Sequence, residues 1–135
     1  MSTPEEVVQE FCAAFATKDI DTISSLLADD VVYHNVGMAP AVGKDASVAM
    51  IQGFLDMAEK MTFEIHRIAT NGDSVLTERT DTFTINGANS PVAVMGAFDL
   101  SDGKIVAWRD YFDMGLITKM MSGEAVDPTV LPVFG

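Results

Sequence analysis

Apolar residues recur at helical spacing in the first part of the chain and alternate in the second. Val7, Val8, Phe11, Cys12 and Phe15 fall on one face of a helix over residues 4–16. Thr3-Pro4-Glu5-Glu6 opens it: Thr3 can cap, Pro4 suits the first helical position, and Glu6 completes a capping box. Ile23, Leu26 and Leu27 mark a short second helix over 21–28, and Val48, Ile51, Phe54, Leu55 and Ala58 a third over 45–59. Between them, Val31-Val32-Tyr33-His34-Asn35-Val36 is a short β-rich stretch, and 37–43, with Pro40, is a loop. Strands follow at 61–70, 74–85, 91–100 and 104–113. Their breaks, Asn71-Gly72-Asp73, Asn86-Gly87-Ala88-Asn89-Ser90 and Ser101-Asp102-Gly103, are turn compositions short enough for antiparallel hairpins. Residues 114–135 begin as a short Met-rich helix and end in a tail with Pro128, Pro132 and Gly135.

The order α-α-β-α-β-β-β-β predicts an α+β fold, with the N-terminal helices packed on one face of a curved mixed or antiparallel sheet. Such a sheet closed by helices makes a cone with a pocket inside. At 135 residues, with no repeat or low-complexity segment, the chain is expected to be one domain over 1–135.

Composition narrows the functions. Twenty acidic residues against 8 basic ones give a formal charge of −12 and a pI near 4.2. Nucleic acids and anionic membranes, which need clustered Lys and Arg, are therefore excluded as partners. An anionic small molecule meets long-range repulsion and a neutral one does not. Cys12 is the single cysteine, so no intramolecular disulfide framework forms, and its place on an apolar helix face makes it a small buried hydrophobe rather than a nucleophile. His34 and His66 read as surface or satisfied core groups rather than catalysts. The N-terminus lacks a basic n-region and an apolar h-region, and no apolar run is long enough to cross a bilayer, so the expected location is the cytoplasm.

Strand alternation points to the chemistry. In 74–85, Val75, Thr77, Arg79, Asp81, Phe83 and Ile85 share the more apolar face, so Arg79 and Asp81 are expected to point inward. Residues i and i+2 on one face lie about 7 Å apart, within reach of an ion pair. In the last strand Val106, Trp108, Asp110 and Phe112 share a face, with Asp110 between two aromatics; Tyr33 and Asn35 can point inward together from the first strand. Charges in an apolar interior cost several kcal/mol (of order 3 or more) unless paired and hydrogen-bonded. Two carboxylates around one arginine hold such charges stably and allow one carboxylate to keep its proton, which gives an acid and a base in one dry pocket. The competing reading is a buried salt bridge, with Asp110 exposed on an edge. The nine methionines are core filler or the walls of an adaptable apolar pocket.

Tyr33-His34-Asn35, Thr77-Glu78-Arg79-Thr80-Asp81 and Trp108-Arg109-Asp110-Tyr111-Phe112-Asp113 resemble the active-site segments of the limonene-1,2-epoxide hydrolases. The resemblance runs from about Glu5 to Asp113, and residues 114–135 match less well. It implies a cone-shaped fold of the nuclear-transport-factor-2 or SnoaL-like type, a homodimer, and one-step epoxide hydrolysis without metal or cofactor. It implies Asp110 as the base that takes a proton from water, Tyr33 and Asn35 as the groups that hold this water, Asp81 as the acid that protonates the epoxide oxygen, and Arg79 as the bridge between the carboxylates. The partners implied are a neutral hydrophobic epoxide, terpene-type or cyclic, and water. Isomerases and cyclases of the same fold are the first alternative; they work with a base on a carbon acid and need no paired acid beside an arginine. A binding module that only uses the cone is the second. The outer face of the late strands, with Met95, Ala97, Ile105, Ala107 and Tyr111, is apolar enough to predict a dimer.

Overall fold

A computed structural model describes residues 2–124 and 127–134; Gly135, the end of the predicted tail, lies outside them. The elements are α1 (Pro4–Ala14), α2 (Ile20–Ser25), β1 (Leu27–Asn35), β2 (Ala41–Val42), α3 (Lys44–Met57), β3 (Lys60–Asn71), β4 (Ser74–Ile85), β5 (Ala88–Ser101), β6 (Lys104–Tyr111), α4 (Met114–Met121) and a short 3-10 turn at Pro128–Val130. One six-stranded sheet has the order β2-β1-β6-β5-β4-β3. The late strands form the expected antiparallel meander, but β1 joins β6 in parallel, so the sheet is mixed. The fold is α+β.

Local chemistry explains the boundaries. The capping box at α1 is formed: the Glu6 amide donates to Thr3 Oγ1 at 3.2 Å and the Thr3 amide to Glu6 Oε1 at 2.9 Å. The β4–β5 and β5–β6 hairpins turn at Asn86-Gly87 and Asp102-Gly103, with positive φ at both residues of each pair, as a type I′ turn requires. Ladder pairing therefore starts at Ala88, inside a stretch whose composition reads as loop.

Three expectations are corrected. Leu27 and Ala28 open β1 rather than closing α2, because Leu27 pairs with Ile105 and fills the core. Ala41–Val42 forms a strand beside β1 inside the expected 37–43 loop, too short for any period to show. On β6, Asp99 pairs with Ala107 while Leu100 pairs with Ile105, which leaves Val106 as an extra, bulged residue. The bulge turns Ile105 into the core, so it does not belong to the apolar outer face.

The core lies between the helices and the inward sheet face. Val8 and Phe11 of α1, Phe15 at its C-cap, and Ile51 and Leu55 of α3 are fully buried with Phe98 and Trp108 of the sheet. Burial of each such side chain is worth about 1.5–3 kcal/mol. The Trp108 ring stacks on Tyr33 at 4.0 Å between centroids and meets Phe11 edge-on at 5.0 Å. A smaller cluster of Val92, Val94 and Met120 sits under α4. No helix among the described residues is long and apolar enough to cross a membrane.

Candidate active site

Arg79 sits in mid-β4 with no exposed surface, and Asp81 follows two residues later on the same inward face. Asp110 comes from β6, across β5. The guanidinium binds both carboxylates with two hydrogen bonds each. Nε donates to Asp81 Oδ1 at 3.0 Å and Nη2 to Asp81 Oδ2 at 2.8 Å. Nη1 donates to Asp110 Oδ1 at 3.2 Å and Nη2 to Asp110 Oδ2 at 2.9 Å. Nη1 also donates to Thr77 Oγ1 at 3.1 Å, and Thr77 donates to the Gly96 carbonyl at 3.2 Å. All five N–H groups of the arginine are thereby used. The Phe63 ring lies 4.8 Å from the guanidinium carbon and shields it from the apolar side.

Tyr33 and Asn35 stand beside this cluster because β1 and β6 run in register, Tyr33 against Trp108 and Asn35 against Asp110. The Tyr33 hydroxyl donates to Asn35 Oδ1 at 3.3 Å. The structure therefore brings together all five residues singled out from the sequence, and it removes the reading in which Asp110 is exposed on an edge. Tyr33, Asn35, Asp81 and Asp110 face a cavity of about 80 Å³. Its remaining walls are apolar, among them Met38, Met57, Met61, Met120, Phe54 and Phe83. His34 and His66 lie elsewhere: His34 Nε2 is 2.8 Å from the Met38 carbonyl, and His66, the bulged residue of β3, bonds Thr80 Oγ1 at 2.7 Å and stacks on Phe134.

The electrostatics separate Asp81 from an ordinary carboxylate. Burial pushes the Asp81 carboxyl up to about 6, against the opposing pull of Arg79, and the neighbouring Asp110 charge adds to the rise. Burial works against the Arg79 charge, but Asp110 and Asp81 outweigh it and hold the guanidinium protonated more firmly than usual. Burial likewise pushes the Tyr33 hydroxyl far above its ordinary range and the Cys12 thiol up to about 12, so neither ionises in a working pH range. A protonated Asp81 leaves the cluster neutral overall, the cheapest state in a dry pocket. The arrangement can give a proton from one carboxylic acid and receive one at the other. Among the described residues, no three His, Cys, Asp or Glu side chains converge to hold a metal ion.

Three residues of the site were not read from the sequence: Thr77, Gly96 and the N–H of Trp108. Thr77 counted only as an inward position. Gly96 carried a signal, since a glycine inside a strand marks a bulge or a close approach. A Cβ there would overlap Arg79 Nη1 and stand 2.7 Å from Asp110 Oδ1.

Residues 2–123 match the limonene-1,2-epoxide hydrolase catalytic domain. The chain is 39% identical over 109 residues to epoxide hydrolase EphG of Mycobacterium tuberculosis (strain ATCC 25618 / H37Rv), covering 79% of this chain and 71% of that protein. The solved structure of an M. tuberculosis epoxide hydrolase like the limonene-1,2-epoxide hydrolases superposes with a TM-score of 0.75 at 36% identity, covering 89% and 90% of the two chains. An NTF2-like protein of unknown function from Burkholderia pseudomallei K96243 superposes with a TM-score of 0.81 at 20% identity, covering 90% and 99%, a likeness of fold alone. With a family match along most of its length, a close relative and this residue cluster, the chain belongs to the limonene-1,2-epoxide hydrolases and so to the epoxide hydrolases.

Proposed function

We propose that the chain adds water to a neutral, hydrophobic epoxide, terpene-type or cyclic, in one step through Asp110, Arg79 and Asp81, giving a vicinal diol. The observation that carries this reading is a single arginine gripping two carboxylates that face one apolar cavity. Water attacks an epoxide carbon while Asp110 takes its proton. The carbon–oxygen bond breaks as Asp81 hands its proton to the departing oxygen. Without these transfers the nucleophile is weak and the leaving group is an alkoxide. Tyr33 and Asn35 hold the water beside Asp110, and Arg79 keeps the carboxylates apart in protonation state. After the diol leaves, a proton passes from Asp110 to Asp81 by way of solvent and restores the starting state. The sheet holds every group rigidly, which supplies much of the advantage.

The cavity is small beside the 150 Å³ that takes benzene in an engineered protein core. The flexible methionines of its walls can move aside to fit a ring of terpene size. An isomerase or cyclase reading rests on likeness of fold alone, and a base for a carbon acid leaves Asp81 and its grip on Arg79 without a task.

We further read residues 1–135 as one cytoplasmic domain that pairs with a second copy through the outer sheet face. There Leu76, Met95 and Tyr111 are 47%, 48% and 48% exposed, respectively, a cluster of large apolar groups uncommon on a monomer.

The deciding experiment is diol formation from limonene oxide, cyclohexene oxide and styrene oxide by the wild type and by Asp110→Asn. Diol from the wild type alone is expected. Equal turnover by a folded Asp110→Asn protein overturns the mechanism.

A further inference from the structure

Trp108 is a core residue by every measure of packing, yet it carries a polar contact that packing does not need. Its Nε1 donates to Asp110 Oδ1 at 2.7 Å, from a fully buried ring to a buried carboxylate two residues along the same strand. Asp110 Oδ1 thus receives two donors, from Trp108 and from Arg79 Nη1, while Oδ2 receives one, from Arg79 Nη2. Asp81 receives one donor on each oxygen, both from Arg79. The two carboxylates share the same arginine and differ in this one indole N–H.

That difference has a direction. An indole nitrogen can donate and cannot accept, so it favours a bare carboxylate oxygen over a protonated one. With Oδ1 occupied twice, Oδ2 is the oxygen of Asp110 with a lone pair left for a proton. The same ring stacks face to face on Tyr33 at 4.0 Å and 9°. One side chain therefore touches both the carboxylate and the aromatic ring that carries the hydroxyl proposed to hold the water.

We propose that Trp108 is a positioning residue of the hydrolysis: its N–H makes Asp110 rather than Asp81 the proton acceptor, and its ring fixes Tyr33 beside it. This rests on the hydrolase reading above. The charged and titratable groups around Asp110 are Arg79 and Asp81 from β4, Tyr33 from β1 and Cys12 from α1. Burial keeps Tyr33 and Cys12 protonated, so the contest lies between the two aspartates.

Trp108 is the chain's single tryptophan, which makes a one-atom test possible. Expression in a tryptophan auxotroph fed benzothienylalanine replaces the indole N–H by sulfur and keeps the ring system. Loss of a hydrogen bond to a charged group should lower kcat about ten- to a hundredfold and move the acid limb of the pH profile up by about one to two pH units. KM should stay nearly constant, because the ring system is kept and Trp108 stands behind the residues that line the cavity. Trp108→Phe should move the limb the same way, with a further loss of stability from the smaller ring. An acid limb and kcat equal to wild type in the sulfur-substituted protein overturn the proposal.

Neither substitution is needed for a second reading by nitrogen-15 NMR of the wild type. The lone indole N–H should exchange slowly with solvent and change its chemical shift across the acid limb. Rapid exchange and a pH-independent shift overturn the proposal as well. Asp110→Asn separates the two ideas. If that variant still hydrolyses epoxides, the triad mechanism itself fails; if it is inactive while the sulfur analogue behaves as wild type, only the role of Trp108 fails.

Discussion

Gly96 stands directly opposite Asp110 across the β5–β6 ladder, and a methyl group on it would overlap the guanidinium that Asp110 binds. Gly96 also pairs with Thr77 on β4, so it marks the point where Arg79 crosses β5 to reach β6. The missing side chain is what lets one arginine serve carboxylates two strands apart. Gly96→Ala should destabilise the fold by about 1–3 kcal/mol through overpacking. It should also lower diol formation at least about a hundredfold, since a 1 Å displacement of catalytic groups costs that much. Thermal melting and an epoxide assay measure the two effects. A Gly96→Ala protein that melts and turns over like wild type would refute the crossing.

Among the described residues, Arg79 is the only cation paired with the two buried carboxylates. Arg79→Met should cost about 3–5 kcal/mol at pH 7, because it leaves buried charge unpaired. The loss should shrink towards pH 4, where the stranded carboxylates can take up protons. Urea unfolding at both pH values tests this, and an equal loss at each would count against it. Arg79→Lys keeps the charge but cannot make two paired contacts, so activity should still fall sharply.

Asp81 makes stability depend on pH in an unusual direction for an acid. Its carboxyl holds a proton up to about 6 in the folded chain and about 3.9 in the unfolded one. The folded state therefore binds more protons between these values. The stabilisation is full below about pH 4 and is lost as pH rises through about 6, a change on the order of 3 kcal/mol. Asp81→Asn lacks this slope. The stability of wild type minus that of Asp81→Asn should fall between pH 4 and pH 7; a difference that stays level or rises would contradict the protonated acid. For the same reason turnover should decline on the alkaline side of about pH 6, as Asp81 loses the proton that the proposed mechanism has it give.

Met120 closes the cavity from α4 and packs on Val92 and Val94. Met120→Ala should open room and raise kcat/KM for limonene oxide relative to cyclohexene oxide. It should cost about 2–5 kcal/mol if the cavity stays empty. An unchanged ratio between the two substrates would place the size filter elsewhere.

Met95→Lys puts a charge in the middle of the apolar outer face and should shift sedimentation from dimer to monomer. Activity should survive, since Met95 faces away from the cavity. A wild type that sediments as a monomer at micromolar concentration would remove the dimer.

Much of the site was legible because burial on a strand has a period of two. Arg79 and Asp81 stood out as charges inside an apolar alternation, and both point inward. Asp110 stood out between Trp108 and Phe112, with the bulge at Val106 falling before it and leaving its orientation unchanged. The same bulge misled the reading of Ile105, since one extra residue reverses every position on the far side. Strand β2 and the parallel pairing of β1 with β6 left no local trace. Both are contacts between distant segments, which periodicity within one segment cannot encode. Hydrogen-bond donors were equally silent: Trp108 looked like core because its ring is core, and only its partner gives the nitrogen meaning.

The parallel seam between β1 and β6 also has a bearing on biosynthesis. Tyr33 and Asn35 are made early and Asp110 late, and the two halves of the site meet only along that seam. During translation the helices and first strand must wait, unpaired on that edge, until residue 110 has left the ribosome. On the proposed mechanism the site is complete only after the step that zips β6 between β1 and β5, and a slip of that strand by one residue turns Asp110 to the other face.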